Sequence, residues 1–199
     1  MRFIHSRHGL FSKSANVKRR PLKGEKQMNN KNRAQVPVEF FSYGYRLSGT
    51  INARHQSLGD SIYNTTTAFL TVSNAYVSPV DRPSEMSANY AEAILVKEEL
   101  SFALTANEEA ALRRDQQYGS YLGPQLTPIF LTLPFFEITG QLRIPGRFDP
   151  RVLLSSQTEK FITLMDVTAR TTSAPDISYE GAAGIINKSK ISFVGMKEL

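Results

Sequence analysis

The chain has 199 residues, of which 41% are hydrophobic and none is cysteine. This length accommodates one or two domains with packed cores, and the lack of cysteine excludes disulfides, thiolate nucleophiles and cysteine-ligated zinc. The net charge of +6 arises from residues 1–35, which carry ten basic side chains and one acidic one, whereas residues 36–199 carry 14 basic and 17 acidic side chains, a net charge of −3. Non-specific binding to nucleic acid depends on a surplus of Lys and Arg, which residues 36–199 do not have.

Residues 1–35 are basic, contain few large apolar side chains and show no periodicity. This composition predicts a disordered tail. Three interpretations stay open: a targeting peptide rich in Arg and Ser, a basic arm that touches nucleic acid, or a segment outside the native product. Met28 offers an alternative start for the third interpretation, because only a short polar lead separates it from the first strand.

The first β unit, residues 36–104, begins with strands over residues 36–41 and 45–52. The second of these alternates apolar and polar side chains, which places Leu47, Gly49 and Ile51 on one face. Glycine inside a strand marks a bulge or a close backbone approach, and a bend there curls a short sheet towards a barrel. Residues 53–67 are predicted to form a polar connection with a short turn that dips into the core.

The central strand of the first unit is predicted over Phe69–Val77. Its first residues, Phe-Leu-Thr-Val, are apolar on both faces, as expected of a strand covered on both sides. A polar loop follows over residues 78–90, and residues 94–104 supply the closing strands. A polar turn at Lys97–Glu99 separates these closing strands.

One helix is predicted, within the segment of residues 105–126 that connects the two units. Thr105 and Glu108 have the spacing of a capping box, in which both side chains satisfy free amides at a helix start. Good helix formers continue over residues 109–118, and Gly119 ends them. Residues 119–125 are predicted to be a linker.

The second β unit, residues 127–199, repeats the first at an offset of 91 or 92 residues. Phe161–Val167 matches Phe69–Ala75, and Gly140 matches Gly49. Lys188 matches Lys97, and Ile-Ser-Phe before residue 194 matches Leu-Ser-Phe before residue 103. The sequence therefore predicts a mainly β fold with two tandem small β-barrels or curled sheets related by internal duplication and packed face to face. Each central strand would lie between its own core and the neighbouring layer.

The titratable residues show no catalytic pattern. Two of the three histidines lie in the tail and His55 stands alone in a polar loop, whereas acid-base and nucleophilic catalysis need such groups brought together. No histidine pair has metal-ligand spacing, and no glycine pattern would cradle a phosphate. We therefore predict a protein that is not an enzyme and has no cofactor.

The second unit resembles the Sm-like family, which includes the RNA chaperone Hfq, in the order of its strand signals: Gly140-Gln-Leu, the Phe161 strand and the run Ile186–Val194. That family folds as a strongly bent small barrel, and a lysine precedes an Ile-Ser pair where its last two strands meet. The resemblance implies that Lys188, and Lys97 in the first unit, contact an RNA base or phosphate. The overall plan is also similar to an uncharacterised bacterial family of short β domains, which implies no function.

Two short motifs resemble those of PilZ domains, which bind cyclic di-GMP on a β-barrel. Arg143 and Arg147 match the arginine motif, and Asp176, Ser178 and Gly181 match the Asp-x-Ser-x-x-Gly motif. Two guanidinium groups can hold phosphates and guanine edges in bidentate fashion. The resemblance implies a nucleotide site on the second unit.

These observations predict a non-catalytic binding or interaction module located in the cytoplasm. A protein partner is favoured because residues 36–199 are slightly acidic. The alternative is a protein that binds a cyclic dinucleotide or RNA through the second unit, with Arg143, Arg147, Asp176, Ser178, Gly181, Lys97 and Lys188 as its site residues.

Overall fold

Ten antiparallel strands build one sheet in the computed structural model, which describes residues 35–54, 56–118, 125–144, 149–155 and 159–196. The strands are β1 Gln35–Ser42, β2 Tyr45–Asn52, β3 Phe69–Pro79, β4 Ala88–Val96, β5 Phe102–Thr105, β6 Gln125–Leu133, β7 Phe136–Ile144, β8 Phe161–Thr171, β9 Ser178–Asn187 and β10 Phe193–Met196. Their order across the sheet is β10-β6-β7-β8-β9-β5-β1-β2-β3-β4. The predicted mainly β fold is confirmed.

Each half of the chain arranges its five strands in the same order, β5-β1-β2-β3-β4 in the first and β10-β6-β7-β8-β9 in the second. The registers also agree, because Val38 faces Gly49 as Ile129 faces Gly140. Duplication stays an inference from the sequence, and this agreement of order and register supports it.

The two matching glycines both lie at an irregularity, as the sequence predicts. The pairing of β2 with β3 shifts at Gly49, and that of β7 with β8 shifts at Gly140. A Cβ atom at Gly49 would clash with the Val72 side chain and lie 2.9 Å from the Ser73 carbonyl oxygen. Glycine therefore permits the close approach of β3 that bends the sheet.

The last residue but one of the repeated phrase has left-handed backbone geometry in each half. Asn74 in β3 has φ +50°, and Asp166 in β8 has φ +49°. Asn and Asp tolerate this conformation better than other non-glycine residues because their short polar side chains bond locally. The polar residue at this position therefore serves the strand geometry.

The two halves are joined by strand pairing between β5 and β9, in which Phe102 faces Ile186 and Leu104 faces Gly184. This differs from the face-to-face packing of separate units that the sequence predicts. Two hydrophobic cores lie on either side of these central strands. The first receives Phe161, Met165, Ala183 and Ile185 from the second half, and the second receives Phe41, Val80, Phe102 and Leu104 from the first half.

Within the described residues, four short helices and one 3-10 turn accompany the sheet: α1 Leu58–Tyr63, α2 Glu108–Ala111, α3 Arg114–Tyr118, α4 Pro150–Leu154 and the turn Lys188–Lys190. α1 occupies the segment expected to be a turn. Its capping box joins Ser57 and Asp60, and it buries Leu58 and Ile62.

The single helix predicted over residues 109–118 is wrong in detail, because the chain forms α2 and α3 with a break between them. The N-cap is Asn107, whose side chain accepts from the Ala110 amide at 3.1 Å. The Thr105 hydroxyl instead donates to the Pro37 carbonyl and accepts from the Asn107 amide. Leu112 is extended and buried in the first core, and this packing interrupts the helix.

Several sequence-based predictions lie outside the described residues: the basic tail apart from Gln35, the linker at residues 119–124, His55 and Arg147. Across the described part of the chain, no helix has the length and hydrophobicity needed to span a membrane.

Candidate interaction surface

The two lysines that match between the halves each hold the end of a helix. Lys97 is buried, and its Nζ donates to the Asn64 carbonyl at 2.7 Å and to the Thr67 hydroxyl at 2.9 Å. Asn64 is the C-cap of α1, where a cation is favoured by the helix dipole. Burial lowers the pKa of the Lys97 ammonium. These two contacts of the Lys97 Nζ are internal to the fold.

Lys188 does the same for α4. Its Nζ donates to the Leu153 carbonyl at 2.9 Å and to that of the C-cap Ser155 at 3.2 Å. Burial also lowers the pKa of this ammonium. The RNA contacts implied for these lysines stay a prediction, and the structure assigns both of them these contacts within the fold.

Replacement of Lys97 by Met is expected to lower the free energy of unfolding by about 1–3 kcal/mol, because two charge-assisted hydrogen bonds at the end of α1 are lost. Met keeps the length and apolar stem of the side chain. Urea denaturation measures the effect, with Lys160→Met as the control, since the Lys160 ammonium pairs with the exposed Glu98. Equal losses for the two variants would contradict the structural role of Lys97.

The residues of the second resemblance are not brought together. Arg143 lies near the end of β7, directly after Leu142. Asp176 lies in the turn that follows Thr171, and Thr171 faces Phe136 at the start of β7. Six residues of strand, about 20 Å, separate Leu142 from Phe136. Ser178 begins β9 beside Asp176, so these two lie at the same end of the sheet.

Gly181 lies in β9 at the junction of the halves. A Cβ atom there would lie 3.2 Å from the Thr105 carbonyl oxygen of β5. Gly181 therefore permits the close approach of the two halves. Arg147 lies outside the described residues, so the arginine pair cannot be assembled from the described part of the chain.

One face of β8 and β9 is fully covered at the junction. Phe161 faces Asn187, and Thr163 faces Ile185. All four side chains are buried, and the amide of Asn187 donates to the Leu100 carbonyl at 2.8 Å. The covering groups include Tyr63, whose hydroxyl lies 3.2 Å from that of Thr163 and whose ring packs against Phe161.

The same face of β3 and β4 is exposed, and we call it the β3–β4 surface: Phe69, Thr71, Ile94 and Val96. Phe69 faces Val96 and Thr71 faces Ile94. These two pairs match the pairs Phe161–Asn187 and Thr163–Ile185 of the second half. Phe69 is 50% exposed, Ile94 57% and Val96 47%. β4 pairs only with β3 among the described strands, so its outer edge carries unpaired backbone groups as well.

The opposite end of the sheet shows a second difference of the same kind. Phe193 in β10 matches Phe102 in β5. Each follows a serine, and β10 pairs with β6 in the same register as β5 pairs with β1. Phe102 is fully buried, whereas Phe193 is 57% exposed. β10 pairs only with β6 in the described sheet.

A cavity of about 530 Å³ lies where the end of α1 meets the start of β8. Its lining includes Tyr63, Lys97, Arg113 and Glu159. The Arg113 guanidinium lies 4.9 Å from the Tyr63 ring centroid and pairs with Glu159. Tyr63, Arg113 and Glu159 thus engage one another, and Lys97 bonds the end of α1, so these four side chains do not form a nucleophile-and-base pair.

Burial is the main cause that raises the pKa of Tyr63 to about 12 from its usual 10.0. The folded state therefore retains this proton at pH values where the unfolded state loses it. We expect Tyr63 to make the protein about 2 kcal/mol less stable as the pH rises from about 10 to 12. The stability of Tyr63→Phe, measured against the parent at each pH, isolates the effect. A constant difference between the two proteins across this range would contradict it.

No group of three or more His, Cys, Asp or Glu side chains that could hold a metal ion occurs within the described residues. The β3–β4 surface was not predicted from the sequence. The repeat matches Phe69 and Ile94 with Phe161 and Ile185, but it does not show that only the second pair is buried. No family model matches the chain, and no curated protein or solved structure shows significant similarity to it.

Proposed function

We propose that the protein is a non-catalytic interaction protein that engages a protein partner through the β3–β4 surface. One observation carries the proposal: Phe69 of β3 and Ile94 and Val96 of the edge strand β4 are about half exposed, whereas the side chains at the matching positions of the second half are buried. The apolar side chains at these positions are covered by a neighbouring element in the second half, and a partner could cover them in the same way in the first half.

Strand addition is the mode of binding that this surface favours. An extended partner segment can pair with the open edge of a sheet, and its side chains then cover the apolar face beside it. Natural edge strands usually avoid such pairing with prolines, inward-pointing charges or very short length. β4 has nine residues, no proline and a single charge, Glu92.

The proposed role is non-catalytic, because three side chains with shifted pKa values have structural contacts. Lys97 and Lys188 hold helix ends, and Tyr63 packs at the junction of the halves. A cytoplasmic location is part of the proposal and rests on the composition of the chain, which has no cysteine.

The alternative of nucleotide or RNA binding finds no assembled site among the described residues. Its two lysines bond within the fold, and Arg143 lies about 20 Å from the turn with Asp176. Titration with cyclic di-GMP and with short RNA, at low and moderate salt, tests it. Binding tighter than roughly 100 μM that weakens with salt would restore this alternative.

Photo-crosslinking tests the proposed function. A photoreactive phenylalanine analogue at Ile94, in the cells that make the protein, is expected to yield a covalent adduct with a defined protein. The matched control is the same analogue at Thr139, an exposed residue of β7, which has strand neighbours on both sides. Adducts from position 94 that are no more frequent than those from position 139 would refute the proposal.

A further inference from the structure

We propose that the partner at β4 is a second copy of this chain, which adds its β10 to the open edge. The inference rests on the proposed function and names its partner. Its basis is the junction already present inside the chain, where β5 of the first half pairs with β9 of the second. β10 and β4 are the strands at the matching positions, and each is left at an edge of the described sheet.

The internal junction fixes the register of the contact between copies. Phe102 faces Ile186, and Ala103 faces Ile185. The offset of 91 residues between the halves converts these pairs into Phe193 facing Leu95 and Val194 facing Ile94. The same conversion places Gly195 opposite Ala93, where Leu104 faces Gly184 in the internal junction.

The side chains fit this register without a clash between large residues. Phe193, Ile94 and Val96 are exposed apolar groups on the two edges. The register covers them on opposite faces of the sheet, because Phe193 faces the buried Leu95 on one face and Val194 faces Ile94 on the other. Gly195 and Ala93 are both small, so the strands can approach each other closely. Burial of half-exposed apolar side chains is the main favourable term in such an association.

The charges also agree with the arrangement. At the internal junction, Lys190 Nζ lies 3.7 Å from Glu99 Oε2. Glu99 precedes β5 and Lys190 follows β9, and the two residues stand at matching positions of the halves. Between copies the roles are exchanged, so Lys190 before β10 comes near Glu99 after β4. Each of these side chains, already paired within its own chain, then has a second opposite charge nearby and no like charge from this pair of positions.

The two edges differ, so the contact is heterologous. Each chain offers one β10 and one β4, and a contact between unlike surfaces produces closed rings or open filaments. A two-fold dimer that joined β4 to β4 would use a different geometry. Cross-linking can distinguish these arrangements.

The test uses the natural absence of cysteine. The single variants Ile94→Cys and Val194→Cys are purified, mixed, and treated with an oxidant or a short bismaleimide. Residues directly opposite in an antiparallel pair have Cβ atoms about 5 Å apart, within reach of either reagent. We expect the mixture to give a covalent dimer, on the order of tenfold more than either variant alone. A chain with both cysteines should give a ladder of larger species.

Two controls make the register specific. Ala88→Cys replaces Ile94→Cys in one mixture, since it lies six residues away in β4, about 20 Å, and should give no dimer with Val194→Cys. The double variant Ala103→Cys with Ile185→Cys places cysteines at the matching internal pair, where a link within one chain is expected.

Each outcome decides the inference. A dimer from Ile94→Cys alone would show β4–β4 pairing and overturn it. Monomers in every mixture, together with the internal link in the control, would also overturn it. In that case, an adduct at Ile94 with a different protein in the photo-crosslinking experiment would leave the proposed function standing. Failure of both experiments would remove the β3–β4 surface as an interface.

Discussion

Phe102→Ala is expected to lower the free energy of unfolding by about 3–5 kcal/mol, the usual cost of truncating a fully buried phenylalanine. Phe102 has no exposed area and stacks on Phe41 with ring centroids 4.3 Å apart. The Phe136 ring lies edge-on at 4.8 Å. Phe41 and Phe136 come from different halves, so the variant weakens the junction between them. Urea denaturation with a fluorescence or circular dichroism signal measures the change.

Phe193→Ala is the matched control, because Phe193 has the same place in the second half and is mostly exposed. At protein concentrations too low for association, we expect this variant to lose less than about 1 kcal/mol. Comparable losses from the two variants would contradict the assignment of a covered junction on one side and an open edge on the other.

Asn187→Ala is expected to cost about 2–4 kcal/mol, because Asn187 is buried and fully engaged. Its Nδ2 donates to the Leu100 carbonyl at 2.8 Å. Its Oδ1 accepts from the amide and the hydroxyl of Ser189 at 3.1 and 2.8 Å. The truncation leaves the carbonyl of the buried Leu100 without this partner and removes the side-chain acceptor at the start of the 3-10 turn.

Val96→Ala is the control for Asn187→Ala, since Val96 occupies the same strand position in the first half. It is about half exposed, and we expect its replacement to change stability by no more than about 0.5 kcal/mol in the isolated chain. Thermal denaturation of both variants at one low concentration gives the comparison. A loss from Val96→Ala as large as that from Asn187→Ala would mean that β4 is already covered in the single chain.

Strand positions and the bulges were predictable because they depend on local patterns. Alternation over residues 45–52 gave β2, and the two matching glycines gave the irregularities at Gly49 and Gly140. The repeated Phe phrase gave β3 and β8 with their starts at Phe69 and Phe161. Each of these features is determined by the residues of one segment.

The joining of the halves was not predictable from local patterns. Phe69 and Phe161 belong to the same phrase, yet only Phe161 is buried, because its neighbours come from the other half. The prediction that each central strand is covered on both sides is therefore wrong for β3 and right for β8. Helix α1 was not predicted because it is only six residues long, and its sequence shows just one capping box and two large apolar residues, Leu58 and Ile62.

The candidate site differs from the sequence-based expectation for a related reason. Matching lysines in two halves predict a shared role, but the pattern does not say whether that role is binding or support. Lys97 and Lys188 each bond the end of the helix that precedes β3 or β8. The matching lysines therefore stabilise the fold. The interface proposed here is the β3–β4 surface, which no other strand or helix of the described chain covers as the junction covers β8 and β9.

Amide hydrogen exchange of β4 tests most directly whether a second copy covers this edge. We expect the amides of Ala88–Val96 that point away from β3 to exchange slowly at high protein concentration and faster on dilution. Ile94→Arg should exchange fast at both concentrations, because a buried unpaired charge opposes association. The amides of β9 serve as the internal reference and should stay protected throughout. Exchange of β4 that is independent of concentration, with β9 still protected, would contradict the account.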